Sequence, residues 1–260
     1  YFSSVPFFRK IYSFTGRIIV VGRSSKIMKV SIIVPVYNEE KTVSKILGKI
    51  SKTKLPQGFS KEIIIINDAS TDGTAKEIKK SEIKMVLINH NKNFGKGAAI
   101  IAGLAKSTGD LVLIQDADLE YDPADYVRLL KPFKSKNVQV VYGSRLINYP
   151  FKLFGKHKTP MPTHLVANKF LTFLTNCLYG SSVTDMETCY KVIDRKLMVS
   201  LRLVANRFDF EPEITAKILK KDVKIIEIPI KVKPRSYAQG KKIGWRDGLI
   251  AIWTLIKYRF

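Results

Sequence analysis

"LVLIQDADLEYDP" (residues 111–123) joins an apolar run to four acidic side chains, those of Asp116, Asp118, Glu120 and Asp122. A continuous apolar run of this kind is typical of a strand that is buried on both faces of a parallel sheet. In such sheets, ligands bind beyond the carboxyl ends of the strands. The stretch therefore predicts a buried strand that ends in carboxylates at a binding edge.

Three more strand candidates precede this one, and each of them also ends in polar residues. They are "VSIIVPVYN" (30–38), "KEIIIINDAS" (61–70) and "KMVLINH" (84–90), and segments with helical spacing separate them. Apolar strands that alternate with helices predict an α/β fold, a Rossmann-like and mostly parallel sheet with helices on both faces. The polar ends of four strands would then meet at one edge.

The second half of the chain is expected to add strands at 138–146 and 223–236, a helix starting near Pro212 and a final helix ending at Phe260. A further helix, 163–180, has apolar side chains around most of its circumference. It follows the basic and aromatic run "FKLFGKHKTPMP", which would suit an anionic membrane surface. The helix could therefore be core or a membrane-interface platform, and the final helix allows the same two interpretations.

The chain carries 45 Lys and Arg residues against 22 Asp and Glu residues, a formal charge of +23. Such a balance favours polyanionic partners: nucleic acid, an anionic membrane or phosphorylated small molecules. No RRM, helix-turn-helix or zinc-finger pattern occurs, which leaves nucleic-acid binding a remote alternative. There is neither a G-x-x-x-x-G-K-[ST] loop nor a G-x-G-x-x-G motif, which argues against nucleotide hydrolysis and dinucleotide redox chemistry.

The sequence predicts a protein that lies on a membrane rather than across it. No apolar run approaches the roughly 18 residues that a membrane-spanning helix needs. The two cysteines, Cys177 and Cys189, lack C-x-x-C spacing, and no N-glycosylation sequon occurs. Both observations favour a cytoplasmic setting. We therefore expect a peripheral protein on the cytoplasmic face.

Residues 1–27 differ from the rest because they contain basic and aromatic side chains but no acid. We expect an extension that is either foreign to the natural chain or a basic arm lying on anionic lipid. The main domain is predicted over 28–235, with a nucleotide-binding half (28–123) and an acceptor half (124–235). A basic loop and an amphipathic helix would follow over 236–260.

The D-x-D pair Asp116 and Asp118 is the leading metal candidate. On an extended chain, side chains two residues apart lie on the same side. Two such carboxylates suit a hard cation, Mg²⁺ or Mn²⁺, which could bridge the oxygens of a diphosphate. The alternative is that these acids only form the turn after the strand.

Three other clusters favour the metal and nucleotide interpretation. "VPVYNEE" places Tyr37 and Glu39 at the end of the first strand, where they could contact a base and a ribose. "NDASTDGT" places Asp68 at the end of the second strand. "NKNFGKGAAI" sets Lys96 between two glycines at a helix start, where the backbone can approach a ligand closely.

With these motifs, the chain resembles the family-2 glycosyltransferases of the GT-A fold, and most of all the polyprenyl-phosphate branch that includes the dolichyl-phosphate mannose synthases. The resemblance covers roughly residues 29–250 and rests on "SIIVPVYNEE", "IIINDASTDGT", "NFGKGAAI", "LIQDADLE", "YGSR", "TDMETCYKV" and "IIEIPIKVKPR". It implies inverting, metal-dependent transfer of a mannose- or glucose-type hexose from a GDP- or UDP-sugar to dolichyl or undecaprenyl phosphate. A saccharide acceptor is the alternative.

The resemblance also implies roles for individual residues. Asp118 would be the direct metal ligand, with Asp116 and Glu120 beside it, although the family often has Gln at the position of Glu120. Nucleotide contacts would come from Pro35, Tyr37, Glu39, Asp68, Lys96 and Asp116.

On the acceptor side, the resemblance implies that Arg145 meets the incoming phosphate and that Arg235 and Lys242 close over the diphosphate. Asp185 would position the acceptor or ligate the metal, and it would be the base candidate if the acceptor were a hydroxyl. The segment "DMETCYK" departs from the family pattern, with Cys189, Tyr190 and Lys191 where Gly, Phe and Arg are usual.

Overall fold

A computed structural model describes residues 27–147, 162–235 and 244–260 of the chain. Nearly all of the expected N-terminal extension, the basic run before the 163–180 helix and Lys242 lie outside these ranges. The expected division into a domain and its two halves stays a prediction.

Seven strands form one mixed sheet, which confirms the predicted α/β class. The strands are β1 (Met28–Val36), β2 (Phe59–Asn67), β3 (Val86–Asn89), β4 (Leu111–Ile114), β5 (Val140–Ser144), β6 (Lys191–Asp194) and β7 (Ile225–Pro229). Their order across the sheet is β3-β2-β1-β4-β6-β5-β7. Only β6 runs antiparallel to its neighbours within this sheet of described residues. Strand β6, which is four residues long, is not among the strands predicted from the sequence.

Helices connect most of the strands. They are α1 (Val43–Lys52), α2 (Thr74–Lys79), α3 (Lys96–Lys106), α4 (Tyr126–Leu130), α5 (Pro162–Tyr179), α6 (Arg195–Ser200), α7 (Phe210–Leu219) and α8 (Trp245–Arg259). The apolar spacing that predicts α1 also identifies its buried face. Its four apolar side chains are all buried; they are Val43, Ile46, Leu47 and Ile50. Helix α6, which follows β6 directly, is not among the helices predicted from the sequence.

The parallel register brings the polar strand ends to one edge, as predicted. Val36 pairs with Asn67, and Asn67 pairs with Asn89, so β1, β2 and β3 end level with one another. Ile114, the last residue of β4, pairs with Ile33 of β1. The residues that follow these four strands therefore share the carboxyl edge of the sheet.

The sheet is covered on both faces, since consecutive side chains in β1, β2 and β4 are buried without alternation. Helix α3 packs on β1 and β2 at a glycine, Gly103, which leaves no room between the helix and Ile33 or Ile66. A second, smaller core joins α5, α7 and α8 through Leu171, Met186, Ala216, Ala251 and Leu255.

Helices α5 and α8 are buried on one side and exposed on the other. The core interpretation therefore holds for one side of each helix, and the membrane-interface interpretation stays a prediction. Leu165 and Leu171 are buried on α5, whereas Phe170 and Phe173 are 52% and 63% exposed. We call the exposed apolar side chains of both helices the α5–α8 face; they are Val166, Phe170, Phe173, Trp245, Leu249, Ile250, Trp253, Ile256 and Phe260. Neither these helices nor any other among the described residues could cross a bilayer.

Two glycines within helices provide a test of the packing of α3. A Cβ atom at Gly103 would lie 2.7 Å from Cγ2 of Ile33, whereas a Cβ at Gly48 of α1 would meet nothing within 4 Å. Overpacking should outweigh the gain in helix propensity, and Gly103→Ala should lower the free energy of unfolding by about 1 kcal/mol or more. Gly48→Ala should raise it by about 0.5–1 kcal/mol. Urea unfolding measures both, and equal stabilisation by the two substitutions would contradict the close packing.

Candidate active site

A cleft of about 390 Å³ opens at the carboxyl edge of the sheet. Most of the residues that the sequence predicts for the site line this cleft; they are Pro35, Tyr37, Glu39, Asp68, Lys96, Asp116, Asp118, Glu120, Arg145 and Arg235. Asp185 lies directly behind Arg145, to which it is hydrogen-bonded. The fold therefore brings together residues that are more than 190 positions apart in the chain, such as Glu39 and Arg235.

The D-x-D pair lies in a turn and not on the strand. Since β4 ends at Ile114, the alternation of side chains along a strand does not govern Asp116 and Asp118. Their carboxylates have different partners: Asp116 Oδ1 is 3.0 Å from Lys96 Nζ, and Asp118 Oδ2 is 3.2 Å from Arg235 Nη2. Both carboxylates line the cleft, but each is held by its own cation.

Gln115 anchors this turn from below. Its side chain is fully buried, and its Oε1 accepts hydrogen bonds from the hydroxyls of Tyr126 and Tyr190 at 2.6 and 2.7 Å. Its Nε2 donates to the carbonyl of Asp116 at 2.9 Å. The tyrosine at position 190, where the family usually has phenylalanine, thus supplies a hydroxyl that fixes the acidic turn.

The two neighbouring departures from the family pattern also have structural partners. Lys191 is fully buried, donates to the carbonyls of Met186 and Thr188, and lies 4.7 Å from the ring centroid of Tyr142. The backbone N–H of Cys189 donates to the hydroxyl of Tyr121 at 3.1 Å. These contacts hold the loop before β6 against the cleft.

Lys96 bridges two acids from distant parts of the chain. Its Nζ lies 3.0 Å from Asp116 Oδ1 and 2.8 Å from Glu211 Oε1. The sequence predicts a nucleotide contact for Lys96, and its motifs do not place Glu211 in the site. Glu211 lies in the first turn of α7 and lines the cleft, so it belongs to the site. No local sequence pattern indicates this long-range pairing.

Asp68 organises the loop that enters α3. Its carboxylate accepts hydrogen bonds from the backbone N–H groups of Phe94 at 3.0 Å and Gly95 at 2.7 Å. Nδ1 of His90, a residue in none of the motifs, lies 2.7 Å from Asp68 Oδ1. Asp68 lines the cleft, so its predicted nucleoside contact stays a prediction beside this structural role.

Arg145 and Asp185 form a bidentate ion pair. The Nε and Nη2 atoms of Arg145 donate to the two oxygens of Asp185 at 2.8 and 2.7 Å, and the backbone N–H of Arg145 adds a third bond of 2.8 Å. Asp185 is fully buried. Since both of its oxygens are occupied, the geometry favours a positioning role for Asp185 over proton abstraction.

Arg235 connects three acids across the mouth of the cleft. Its Nη1 and Nη2 atoms donate to Glu39 at 3.0 and 3.1 Å, and Nη2 also reaches Asp118. Its backbone N–H donates to Glu120 Oε1 at 2.9 Å. The positively charged guanidinium of Arg235 thus lies among these carboxylates.

Negative charge is nevertheless in excess at Asp118. Burial, together with the neighbouring Asp116 and Glu120, raises the pKa of Asp118 to about 7, although Arg235 acts in the opposite direction. The crowding fits a cation-binding role. Within the described ranges, however, no three His, Cys, Asp or Glu side chains converge into a complete metal site. An ion at Asp118 would take its remaining ligands from a diphosphate and water.

Glu187 also lines the cleft, and sequence analysis did not single it out. Burial raises its pKa to about 7, and the nearby Glu211 adds to this effect, whereas Lys191 and Arg145 oppose it. Its Oε1 is buried and has no hydrogen-bond partner among the residues that the structure describes. The only sequence signal for Glu187 is its position two residues after Asp185, within the motif "TDMETCYKV".

Asp118→Asn should stabilise the protein more at pH 8 than at pH 5. The folded protein binds the Asp118 proton more tightly than the unfolded chain, whose ordinary carboxyl pKa is 3.8. The free energy of unfolding therefore falls as the pH rises through about 4 to 7, and asparagine removes that loss. Added Mn²⁺ should raise the Tm of the wild type at pH 8 but not that of the variant.

Asp122→Asn, four residues after Asp118, is the control with the opposite sign, because a hydrogen bond from Lys49 lowers the pKa of Asp122. This variant should be slightly less stable than the wild type at pH 8 and should keep the response to Mn²⁺. If both substitutions changed the Tm in the same direction at pH 8, the excess of negative charge at Asp118 would be disproved.

Comparisons with known proteins agree with the fold and the motifs. The family model for glycosyl transferase family 2 matches residues 31–201. A UDP-N-acetylglucosamine–dolichyl-phosphate N-acetylglucosaminyltransferase of Methanococcus voltae is 28% identical over 86% of this chain and 94% of its own length. A dolichyl-phosphate beta-glucosyltransferase of Trichomonas vaginalis is 31% identical over 77% of this chain, and this chain spans 64% of that relative.

A third relative is the undecaprenyl-phosphate 4-deoxy-4-formamido-L-arabinose transferase of Proteus mirabilis, which is 28% identical over 83% of this chain and 63% of its own length. Among solved structures, glucosyl-3-phosphoglycerate synthase from Mycobacterium tuberculosis with UDP superposes with a TM-score of 0.67 at 21% identity, over 89% of this chain and 80% of that one. The same protein with Mg²⁺ and UDP gives a TM-score of 0.66 at 20% identity, over 89% and 79%. The structural likeness shows the GT-A fold. The family model covers well over half of the sequence, and the chain therefore belongs to glycosyl transferase family 2.

Proposed function

We propose that the protein transfers a hexose from a nucleoside-diphosphate sugar to a polyprenyl phosphate, with inversion at the anomeric carbon. The observation that carries this proposal is that one cleft contains both the acidic turn around Asp118 and the guanidinium of Arg145. The first suits a metal-bound diphosphate, and the second suits a phosphate acceptor. The three relatives described above are all named for transfer to dolichyl or undecaprenyl phosphate.

The sugar and the base of the donor are open within this proposal. The relatives are named for N-acetylglucosamine, glucose and a formamido-arabinose, and none of these three names supports the mannose of the expected mannose-synthase type. Among the solved structures of the Mycobacterium tuberculosis neighbour, one contains UDP and another contains UDP-glucose. We therefore propose a GDP- or UDP-hexose as the donor and make its identity an outcome of the assay below.

We propose a divalent cation, Mg²⁺ or Mn²⁺, as the cofactor, held by Asp118 with Glu120 and Asp116 nearby. All three are carboxylates of the kind such hard ions prefer, and excess negative charge surrounds Asp118. When bound, the ion would stabilise the charge on the leaving diphosphate. Pro35, Tyr37, Glu39 and Asp68 would contact the nucleoside from the β1 and β2 side of the cleft.

On the acceptor side, Arg145 would orient the incoming phosphate, and Asp185 would keep the guanidinium in place. A phosphate oxygen is already ionised near neutral pH, so the reaction needs no protein base to remove a proton. The bidentate pair supports this division of roles, since both oxygens of Asp185 are engaged by Arg145. Arg235 and Lys242 would neutralise the departing diphosphate.

Transfer to a saccharide hydroxyl is the second candidate. It would require a base, and Asp185 could serve only after releasing Arg145. No contact among the described residues favours this route over the first.

We further propose that the protein is peripheral on the cytoplasmic face of the membrane, with the α5–α8 face against lipid. On α8, the exposed apolar side chains recur at helical spacing from Trp245 to Phe260, and Arg246 and Lys257 accompany them. A helix with an apolar face and basic flanks binds anionic bilayer surfaces. A membrane-bound position would bring the cleft to a lipid acceptor.

The transfer assay offers radiolabelled UDP-glucose, UDP-N-acetylglucosamine and GDP-mannose separately, with Mn²⁺ and with or without undecaprenyl phosphate. We expect label from one donor to become butanol-extractable only when the lipid phosphate is present. Asp118→Ala should reduce that rate by at least about 10²-fold, because the charge on the leaving group loses its counter-ion. Asp122→Ala is the matched control and should keep most of the activity. Transfer to a soluble saccharide, without the lipid, would favour the second candidate.

Vesicle sedimentation tests the proposed membrane face. Phe173→Ser with Trp253→Ser should weaken binding to vesicles rich in phosphatidylserine by at least about tenfold, because burying one such side chain contributes about 1.5–3 kcal/mol. Val86→Ser is the control. This valine is also exposed, at 43%, but it belongs to β3 at one end of the sheet and not to α5 or α8. Equal binding by all three proteins would contradict the assignment of the face.

A further inference from the structure

Glu187 is a half-buried acid of the cleft, and one of its carboxylate oxygens has no hydrogen-bond partner in the described part of the chain. It lies on the loop between α5 and β6, and its Oε1 is buried without a hydrogen-bond partner there. The acids around it are paired: Asp116 and Glu211 with Lys96, and Asp185 with Arg145. An unpaired buried acceptor is costly, and native structures retain one where a ligand or water supplies the donor.

The backbone on both sides of Glu187 is fixed. Thr188 Oγ1 donates to the carbonyl of Gly143 at 2.5 Å, and the N–H of Cys189 donates to the hydroxyl of Tyr121. On the other side, the N–H of Asp185 donates to Glu227 Oε1 at 3.1 Å. The backbone that carries Glu187 is therefore fixed at the cleft wall, which contributes to the preorganisation that a binding group requires.

The chemistry of the cleft limits what can donate to Glu187. A carboxylate repels phosphate, and the cleft already provides cations for phosphates in Lys96, Arg145 and Arg235. The remaining donors on a sugar nucleotide are neutral, and the hexose hydroxyls are the ones that lie between the diphosphate and the acceptor. Arg145, on the acceptor side, is among the charges that act on Glu187.

We propose that Glu187 accepts a hydrogen bond from a hydroxyl of the transferred hexose and is a specificity-determining residue for the donor sugar. The inference rests on the proposed function, since it requires a nucleoside-diphosphate sugar in the cleft. A site that hydrogen-bonds a substrate hydroxyl rejects an analogue without that hydroxyl, because the buried acceptor is then left unpaired. Glu187 would thus select the sugar, while the residues around Asp118 would bind the nucleotide.

Isothermal titration calorimetry separates these two parts of the donor. Wild type, Glu187→Ala and Glu187→Gln are titrated with UDP and GDP, and with UDP-glucose, UDP-N-acetylglucosamine and GDP-mannose, all in the presence of Mn²⁺. Glu187→Ala should weaken the preferred sugar nucleotide by about tenfold to hundredfold and leave the free nucleoside diphosphate unchanged within about twofold. Glu187→Gln should lose less, because its amide oxygen still accepts a hydrogen bond.

Glu77→Gln, which removes a charge from an exposed ion pair on α2, is the matched control and should bind both ligands as the wild type does. An equal loss of affinity for the sugar nucleotide and the free diphosphate in Glu187→Ala would overturn the inference, because it would indicate a general electrostatic or structural effect. Unchanged binding of all ligands would overturn it as well. A wild-type protein that binds neither UDP nor GDP would instead refute the proposed function, and the role of Glu187 with it.

Discussion

Carboxylates that are buried side by side need cations at hydrogen-bonding distance, and this constraint shapes the whole cleft. Lys96 holds Asp116 and Glu211, Arg145 holds Asp185, and Arg235 holds Asp118. Each of these cations comes from a different part of the chain from the acids that it neutralises. The pairs therefore fix α3, the loop before β6, α7 and the segment after β7 around one site, and the core packing has to accommodate them.

Much of the sheet and the place of the site could be predicted from the sequence. The continuous apolar runs in β1, β2 and β4 identify strands covered on both faces, and the spacing of Val43, Ile46, Leu47 and Ile50 identifies α1. Parallel pairing then places the polar residues after these strands at one edge. These inferences succeed because the periodicity of a strand or helix is local, and burial acts on it directly.

The partners within the site could not be predicted in the same way. Lys96 and Glu211 are separated by more than a hundred positions, and neither neighbourhood shows a pattern that requires the other. The hydroxyl of Tyr190 donates a hydrogen bond to Gln115, which lies 75 positions earlier in the sequence. Strand β6 is too short to show periodicity, and it runs against its neighbours. The positions of Asp116 and Asp118 could not be predicted from strand alternation either, because both residues follow the end of β4.

The position of Arg235 has a thermodynamic consequence for the order in which ligands are accepted. Its guanidinium contacts Glu39 and Asp118. If the proposed divalent cation bound there, it would replace the guanidinium as their partner, and the guanidinium would then need an anion. A cation alone would neutralise the acids but leave Arg235 without an anionic partner. A diphosphate alone would pair with Arg235 but leave the acids without a cation. Both ligands together would give every charged group a partner. The cleft would therefore bind the proposed cation and diphosphate more tightly together than it binds either one alone.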